Sequence, residues 1–191
     1  MLSEDKTLEI LKKTNSLLEG HFILSSGLRS EKYLQCAQLM MHADYAKIIC
    51  ESLASKIKKE KINFDLVASP AIGGILVGYE VSKFLNVPNI FVERVDNKFS
   101  LRRGFDCKDK NILIVEDVIT TGKSSIECAE CLKGLGGTIS GYACIVDRSG
   151  GNSKINNIIS QISFNFPTYE KDNLPEHLKN ITPIKPGSRK A

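Results

Sequence analysis

At 191 residues, with 42% hydrophobic and 25% charged side chains, the chain has the make-up of one soluble globular domain with a sizeable core. No stretch approaches the roughly eighteen consecutive apolar residues of a membrane span, and the charged, acidic start Met1-Leu2-Ser3-Glu4-Asp5-Lys6 is not that of a secretory signal. A net charge of +4 favours an anionic substrate or an ordinary solvated surface over a nucleic-acid binder, so a cytoplasmic enzyme is expected.

The spacing of Leu8, Ile10, Leu11 and Leu17 predicts a helix over 4–18. Residues 20–24 read as a strand, 25–30 as a turn rich in Ser and Gly, and 33–36 as a returning strand. An amphipathic helix follows over 43–59, with Tyr45, Ile48, Ile49, Leu53 and Ile57 on its apolar side. A strand over 64–68 leads into Ser69-Pro70-Ala71-Ile72-Gly73-Gly74 and a helix over 75–85. Paired glycines there suit close approach of backbone N–H groups to an anion, although a tight turn packed through glycine would read the same. Residues 89–92 form the next strand. The polar, basic segment 93–105 after it has the character of a mobile flap, and its Phe99 and Phe105 among basic residues also fit RNA binding.

The most informative stretch is Asn111-Ile-Leu-Ile-Val-Glu-Asp-Val-Ile-Thr-Thr-Gly-Lys-Ser-Ser125. Ile112 to Val115 is a continuous, β-branched apolar run, as in a strand buried on both faces. It is expected to stop at Glu116 and Asp117, which a buried strand would not carry unpaired. The hydroxyl-rich segment Thr120-Thr121-Gly122-Lys123-Ser124 then opens a helix over 125–135, a natural place for a phosphate. The acids behind it suit sugar hydroxyls or a metal ion. A Walker loop is excluded: Gly122-Lys123-Ser124 is present, but Asp117 stands where that loop needs its first glycine.

A strand over 138–146 ends at Asp147-Arg148, and an arginine at such a C-terminal edge suits a bidentate carboxylate. A late strand over 161–164, a short helix over 175–179 and a loose tail over 183–191 complete the chain. The six cysteines are expected to be small buried thiols; Cys128 and Cys131 have Cys-x-x-Cys spacing but lie within a helical pattern without a second pair. His21, His42 and His177 fall in no nucleophile–base pattern. Alternation of strand, loop and helix from 43 to 148 argues for an α/β fold with a mostly parallel sheet covered on both faces.

Val115-Glu116-Asp117-Val118-Ile119-Thr120-Thr121-Gly122 resembles the phosphoribosyl pyrophosphate (PRPP) motif of type I phosphoribosyltransferases. The opening segment, Gly20-His-Phe-Ile-Leu-Ser-Ser-Gly27 followed by Ser30 and Tyr33, resembles the hood of orotate phosphoribosyltransferases, with Ser25 where many members have lysine. The resemblance implies a hood over about 1–40 and a core over about 43–165. It implies transfer of the phosphoribosyl group of PRPP to orotate, giving orotidine 5′-monophosphate and pyrophosphate in pyrimidine synthesis. By carry-over, Glu116 and Asp117 hold the ribose, and Val118, Ile119, Thr120, Thr121, Gly122, Lys123 and Ser124 surround the 5′-phosphate. Ala71, Ile72, Gly73, Gly74 and Arg94 take pyrophosphate, Lys98 and Arg102 act as flap cations, and Thr120, Arg148, Ser26 and Gly27 face orotate. Mg²⁺ is expected to arrive on PRPP rather than on a site of protein ligands. A homodimer is implied, its flap reaching the neighbouring site, with neither nucleic acid nor membrane as partner. A purine phosphoribosyltransferase, or a PRPP-sensing regulator that binds nucleic acid, are the readings left beside it.

Overall fold

The computed structural model describes residues 1–24 and 26–186. Helix α1 (Glu4–Lys13) starts on the Ser3 cap and ends four residues before Leu17. Thr14 donates its hydroxyl to Ile10 O, and Asn15 turns the chain with φ +53°. Leu17 therefore belongs to strand β1 (Leu17–Ile23), not to the predicted helix. The helical spacing of Leu17 was accidental; Asn tolerates the left-handed conformation that stops a helix. Strand β2 (Arg29–Leu34) returns antiparallel to β1, and Cys36 opens a short helix α2 (Cys36–Met40) instead of closing the strand.

Helix α3 (Ala43–Lys59) has the predicted bounds and buries Ala46, Ile49, Cys50, Leu53 and Ile57, while Ile48 faces solvent. Then come β3 (Leu66–Pro70), α4 (Gly73–Leu85), β4 (Asn89–Val95), β5 (Lys98–Leu101), β6 (Asn111–Ile119), α5 (Lys123–Gly134), β7 (Thr138–Asp147) and β8 (Ile158–Ser163). The central sheet has the order β5-β4-β3-β6-β7-β8, parallel except for β5. Successive side chains of β6 alternate between its two faces. Leu113 and Val115 enter the core shared with α3 and α4; Ile112 and Ile114 enter the core containing Cys128, Ala129 and Leu132 of α5. Burial on both sides is why this strand is apolar without interruption.

Two departures from expectation shape the site. Strand β6 does not stop at the acids: pairing with β7 continues through Glu116↔Cys144 and Val118↔Val146 to Ile119↔Asp147. The carboxylates are thus set by sheet geometry rather than by a loop. The segment read as a flap is ordered as a hairpin through Leu101, turning at Asp96 and Asn97 with φ +49° and +65°. Its aromatic rings are already occupied. Arg94 stacks on Phe99 at 4.1 Å and Phe91 meets Phe105 edge-on at 5.3 Å, so each ring has one partner within the fold.

A second sheet forms the hood, in the order β1-β2-β9, where β9 (Thr168–Tyr169) pairs with Arg29 and Ser30. Helix α6 (Glu176–Lys179) follows, and the chain then returns to β1. Ile184 donates to His21 O and accepts from Ile23 N, both at 2.8 Å, so it is held as a one-residue bridge. Ser25 and residues 187–191 lie outside the described residues. All six cysteines are free thiols, five of them buried.

Candidate active site

Strands β3 and β6 lie side by side, and each gives way at its C-terminal end to a small-residue loop and a helix. Neither α4 nor α5 has a side-chain cap at its N-terminus. The leading N–H groups of both are left for an anion, favoured there by the helix dipole. Two glycines are required by position. Gly122 caps α5 with φ +76°, and a Cβ there would come within 2.8 Å of Ile155 and Ser153 side-chain atoms. A Cβ on Gly73 would stand 2.6 Å from Asp117 Oδ2, so the 71–74 loop and the acidic end of β6 form one wall.

Glu116 and Asp117 are neighbours on a strand and point to opposite faces. Glu116 is buried on the α5 side, where Ser125 Oγ donates to its carboxylate. Burial pushes its carboxyl up to about 7, with the Ser125 hydrogen bond opposing and the Asp117 charge adding to the rise. Asp117 sits on the α4 side against Gly73; burial also raises it, while backbone N–H groups, that of Val118 first, pull the other way. Among the described residues no cation lies within ion-pair distance of either acid. Two desolvated carboxylates without protein counter-charges are costly in a fold and useful in a site.

Two cavities meet at this edge. The smaller, about 170 Å³, is lined by Glu116, Val118, Ile119 and the whole loop Thr120 to Ser124, a phosphate-sized space over the start of α5. The larger, about 440 Å³, lies under the hood and is lined by Tyr33, Cys36, Asp117, Val118, Thr120, Arg148 and Lys185, among others. Val118 and Thr120 border both, so one ligand can span them. Arg148 donates its backbone N–H to Ile119 O at 2.8 Å, which fixes it beside the end of β6. Its half-buried guanidinium is lowered from the usual arginine value, by desolvation first, and the nearby Tyr33 opposes this.

The remaining predicted residues lie outside these two cavities. Ser26 and Gly27 form the exposed hood turn, where Gly27 N–H donates to Leu24 O at 2.9 Å; Ile23 and Leu24 line the larger cavity in their place. Ala71 to Gly74 flank Asp117 from α4, with the Ala71–Ile72 peptide cis. Arg94 donates to Asn97 O at 2.8 Å and pairs with Glu127 of α5, which Lys123 also approaches at 3.8 Å. Arg102 stands 3.7 Å from Glu93, and Lys98 is exposed at the hairpin. Since Val92 is level with Pro70, the hairpin projects beyond the sheet edge that carries both loops. Ser125 and Lys185 were not foreseen. Ser125 follows directly from the loop sequence by counting onto α5, whereas Lys185 arrives through the Phe22–Ile184 bridge between distant parts of the chain, which leaves no local signal.

Residues 41–172 match the family description "Phosphoribosyl transferase domain". The orotate phosphoribosyltransferase of Brucella canis is 43% identical over 190 residues, covering 98% of this chain and 99% of that protein. Among solved structures, Mycobacterium tuberculosis orotate phosphoribosyltransferase in complex with PRPP is similar with a TM-score of 0.63 at 18% identity, covering 86% of this chain and 92% of that one. Leishmania donovani UMP synthase is similar with a TM-score of 0.73 at 19% identity over 85% of this chain and 37% of that chain. At those identities the structures speak for the fold alone; the near-complete alignment with the Brucella protein carries the assignment further. On that alignment and the domain match, the chain belongs to the orotate phosphoribosyltransferase family of type I phosphoribosyltransferases.

Proposed function

We propose that the two joined cavities hold PRPP and orotate, and that the chain transfers the phosphoribosyl group to the base nitrogen with release of pyrophosphate. The observation that carries this reading is the layout around β6: an anion loop on one side, and, among the described residues, acids at the centre and an arginine across the larger cavity that have no ion-pair partner. The 5′-phosphate rests on the N–H groups and hydroxyls from Thr120 to Ser124, with Val118 and Ile119 beneath. The ribose hydroxyls bond Asp117 and Glu116, whose charge also stabilises the cation-like C1′ as its bond to pyrophosphate breaks. Pyrophosphate leaves along Ala71 to Gly74. Orotate lies in the larger cavity against Ile23 and Leu24, its carboxylate on Arg148 and its ring beside Thr120. The protein contributes orientation and fixed charge more than covalent chemistry.

Hard oxygen donors beside exposed N–H groups suit a Mg²⁺ ion bound chiefly through PRPP, with Asp117 the acid nearest the pyrophosphate loop. When bound, the ion neutralises charge growing on the leaving pyrophosphate. No described helix is long and apolar enough to cross a membrane, and free buried thiols suit a reducing, cytoplasmic setting.

The working unit is a homodimer. Ile72, Leu76 and Tyr79 are spaced four and three residues apart, on one side of α4, and are 86%, 57% and 59% exposed, an apolar face beside the pyrophosphate loop. Pairing of two such faces brings the hairpin with Arg94, Lys98 and Arg102 toward the other subunit's pyrophosphate. Leu76→Glu is expected to give a monomer by light scattering with less than about a tenth of the parent turnover; an active monomer would remove the partner's hairpin from the reaction.

A panel of bases tests the function itself. Pyrophosphate release from PRPP is expected with orotate and not with adenine, guanine or hypoxanthine. Release driven by a purine would replace the reading, and strongly salt-dependent nucleic-acid binding without turnover would favour a regulator.

A further inference from the structure

Among the described residues, the larger cavity has three charged side chains in its lining: Asp117, Arg148 and Lys185. Lys185 comes from neither the core nor the hood hairpin but from the chain's last segment, and that segment is positioned with care. Ile184, its neighbour, is clamped between His21 O and Ile23 N by two backbone hydrogen bonds of 2.8 Å. His21 is itself buried, with Nδ1 2.9 Å from Ile181 O, three residues earlier. Pro183 and Pro186 flank the Ile184-Lys185 pair, each fixing a backbone φ and shrinking the freedom that ordering this segment must overcome. Pro186 also lines the cavity, so two consecutive residues of the segment border it.

Among the described lining residues two cations stand against one carboxylate, a positive excess that fits a base carrying net negative charge. Arg148, with its planar fork, is the better partner for the base's carboxylate. A lysine is a mobile point charge, suited to a ring oxygen or to the outer oxygen of that same carboxylate.

We infer that Lys185 is a specificity-determining residue for the anionic base, delivered by a carboxy-terminal strap that the Ile184 bridge holds beside the base cavity. The inference rests on the orotate reading above, in that it names a second cation for the same substrate. It goes beyond that reading by giving the carboxy-terminal segment a part in the site.

The test uses the whole 191-residue chain. Wild-type turnover of orotate is measured first, and its absence would defeat the functional reading rather than the role of Lys185. Given that turnover, Lys185→Ala is expected to lower kcat/KM for orotate about 10- to 100-fold, mainly through KM, with KM for PRPP within about twofold of the parent. Lys185→Glu should lie lower still, and Lys185→Arg should recover to within a few-fold. Discrimination of orotate over uracil, which lacks the carboxylate, should fall in the alanine variant. Since Lys185 is exposed, these variants are expected to fold, and thermal melting checks it. Unchanged orotate kinetics in both the alanine and glutamate variants would overturn the inference. Equal loss toward orotate and PRPP without rescue by arginine would do the same, since it would mark a merely structural strap.

Discussion

Asp117→Asn is expected to lower kcat by about 100- to 1,000-fold while leaving the protein at least as stable as its parent. The two halves of that expectation have one cause. The carboxylate lies buried between β6 and Gly73 with no cation within ion-pair distance among the described residues, and desolvation raises its pKa above the ordinary 3.8. A raised folded-state value means that the neutral form is favoured by folding. Stability linked to that proton is complete below the ordinary value and is lost as pH rises through the folded one. At neutral pH the ionised group therefore weighs against the fold, and asparagine of nearly equal volume removes that weight. The melting difference between variant and parent should thus open in favour of asparagine as pH climbs from 3.8. Turnover should move the opposite way, because an amide keeps a hydrogen bond to a ribose hydroxyl but cannot face a developing positive charge with a full negative one. Steady-state kinetics and melting curves across pH check both parts. Near-parental turnover would take Asp117 out of the mechanism.

The same desolvation explains why the centre of the site was legible in the sequence while its periphery was not. Ile112 to Val115 could be read as a strand buried on both sides because every residue of the run faces one core or the other. Two acids directly after such a run are too costly to be incidental, so they announced a site before any contact was known. The extension of β6 through them was not foreseeable, since it depends on β7 offering Cys144, Val146 and Asp147 as partners. Local pattern failed wherever the decisive partner was distant. β9 is two residues long, the Ile184 bridge is one, and neither has a period to detect. The flap cations show a different limit. Their residue types were readable, but Arg94 with Glu127 and Arg102 with Glu93 are pairings that only the folded hairpin reveals. In a single subunit those arginines are engaged, so any part they take at a pyrophosphate requires them to exchange an acid for a phosphate.

Arg148→Ala is expected to reduce kcat/KM for orotate by about 100-fold and to leave KM for PRPP within about twofold. Arg148 has no acid within ion-pair distance among the described residues, and its guanidinium is half-buried in the wall of the larger cavity. A desolvated cation without a protein partner gains more from a ligand carboxylate than a solvated one, so its removal should cost more than a surface ion pair would. The rest of the phosphate loop, Thr121 to Ser124, lines the smaller cavity and not the one that Arg148 borders. Uracil separates charge recognition from general damage. Lacking the carboxylate, it should be used about as poorly by the variant as by the parent, so that orotate loses its advantage while the neutral base loses little. Arg148→Lys keeps the charge without the fork and should fall between parent and alanine. Equal losses for orotate and uracil would mean that Arg148 shapes the cavity instead of reading the base; unchanged orotate kinetics would leave Lys185 as the pocket's working cation.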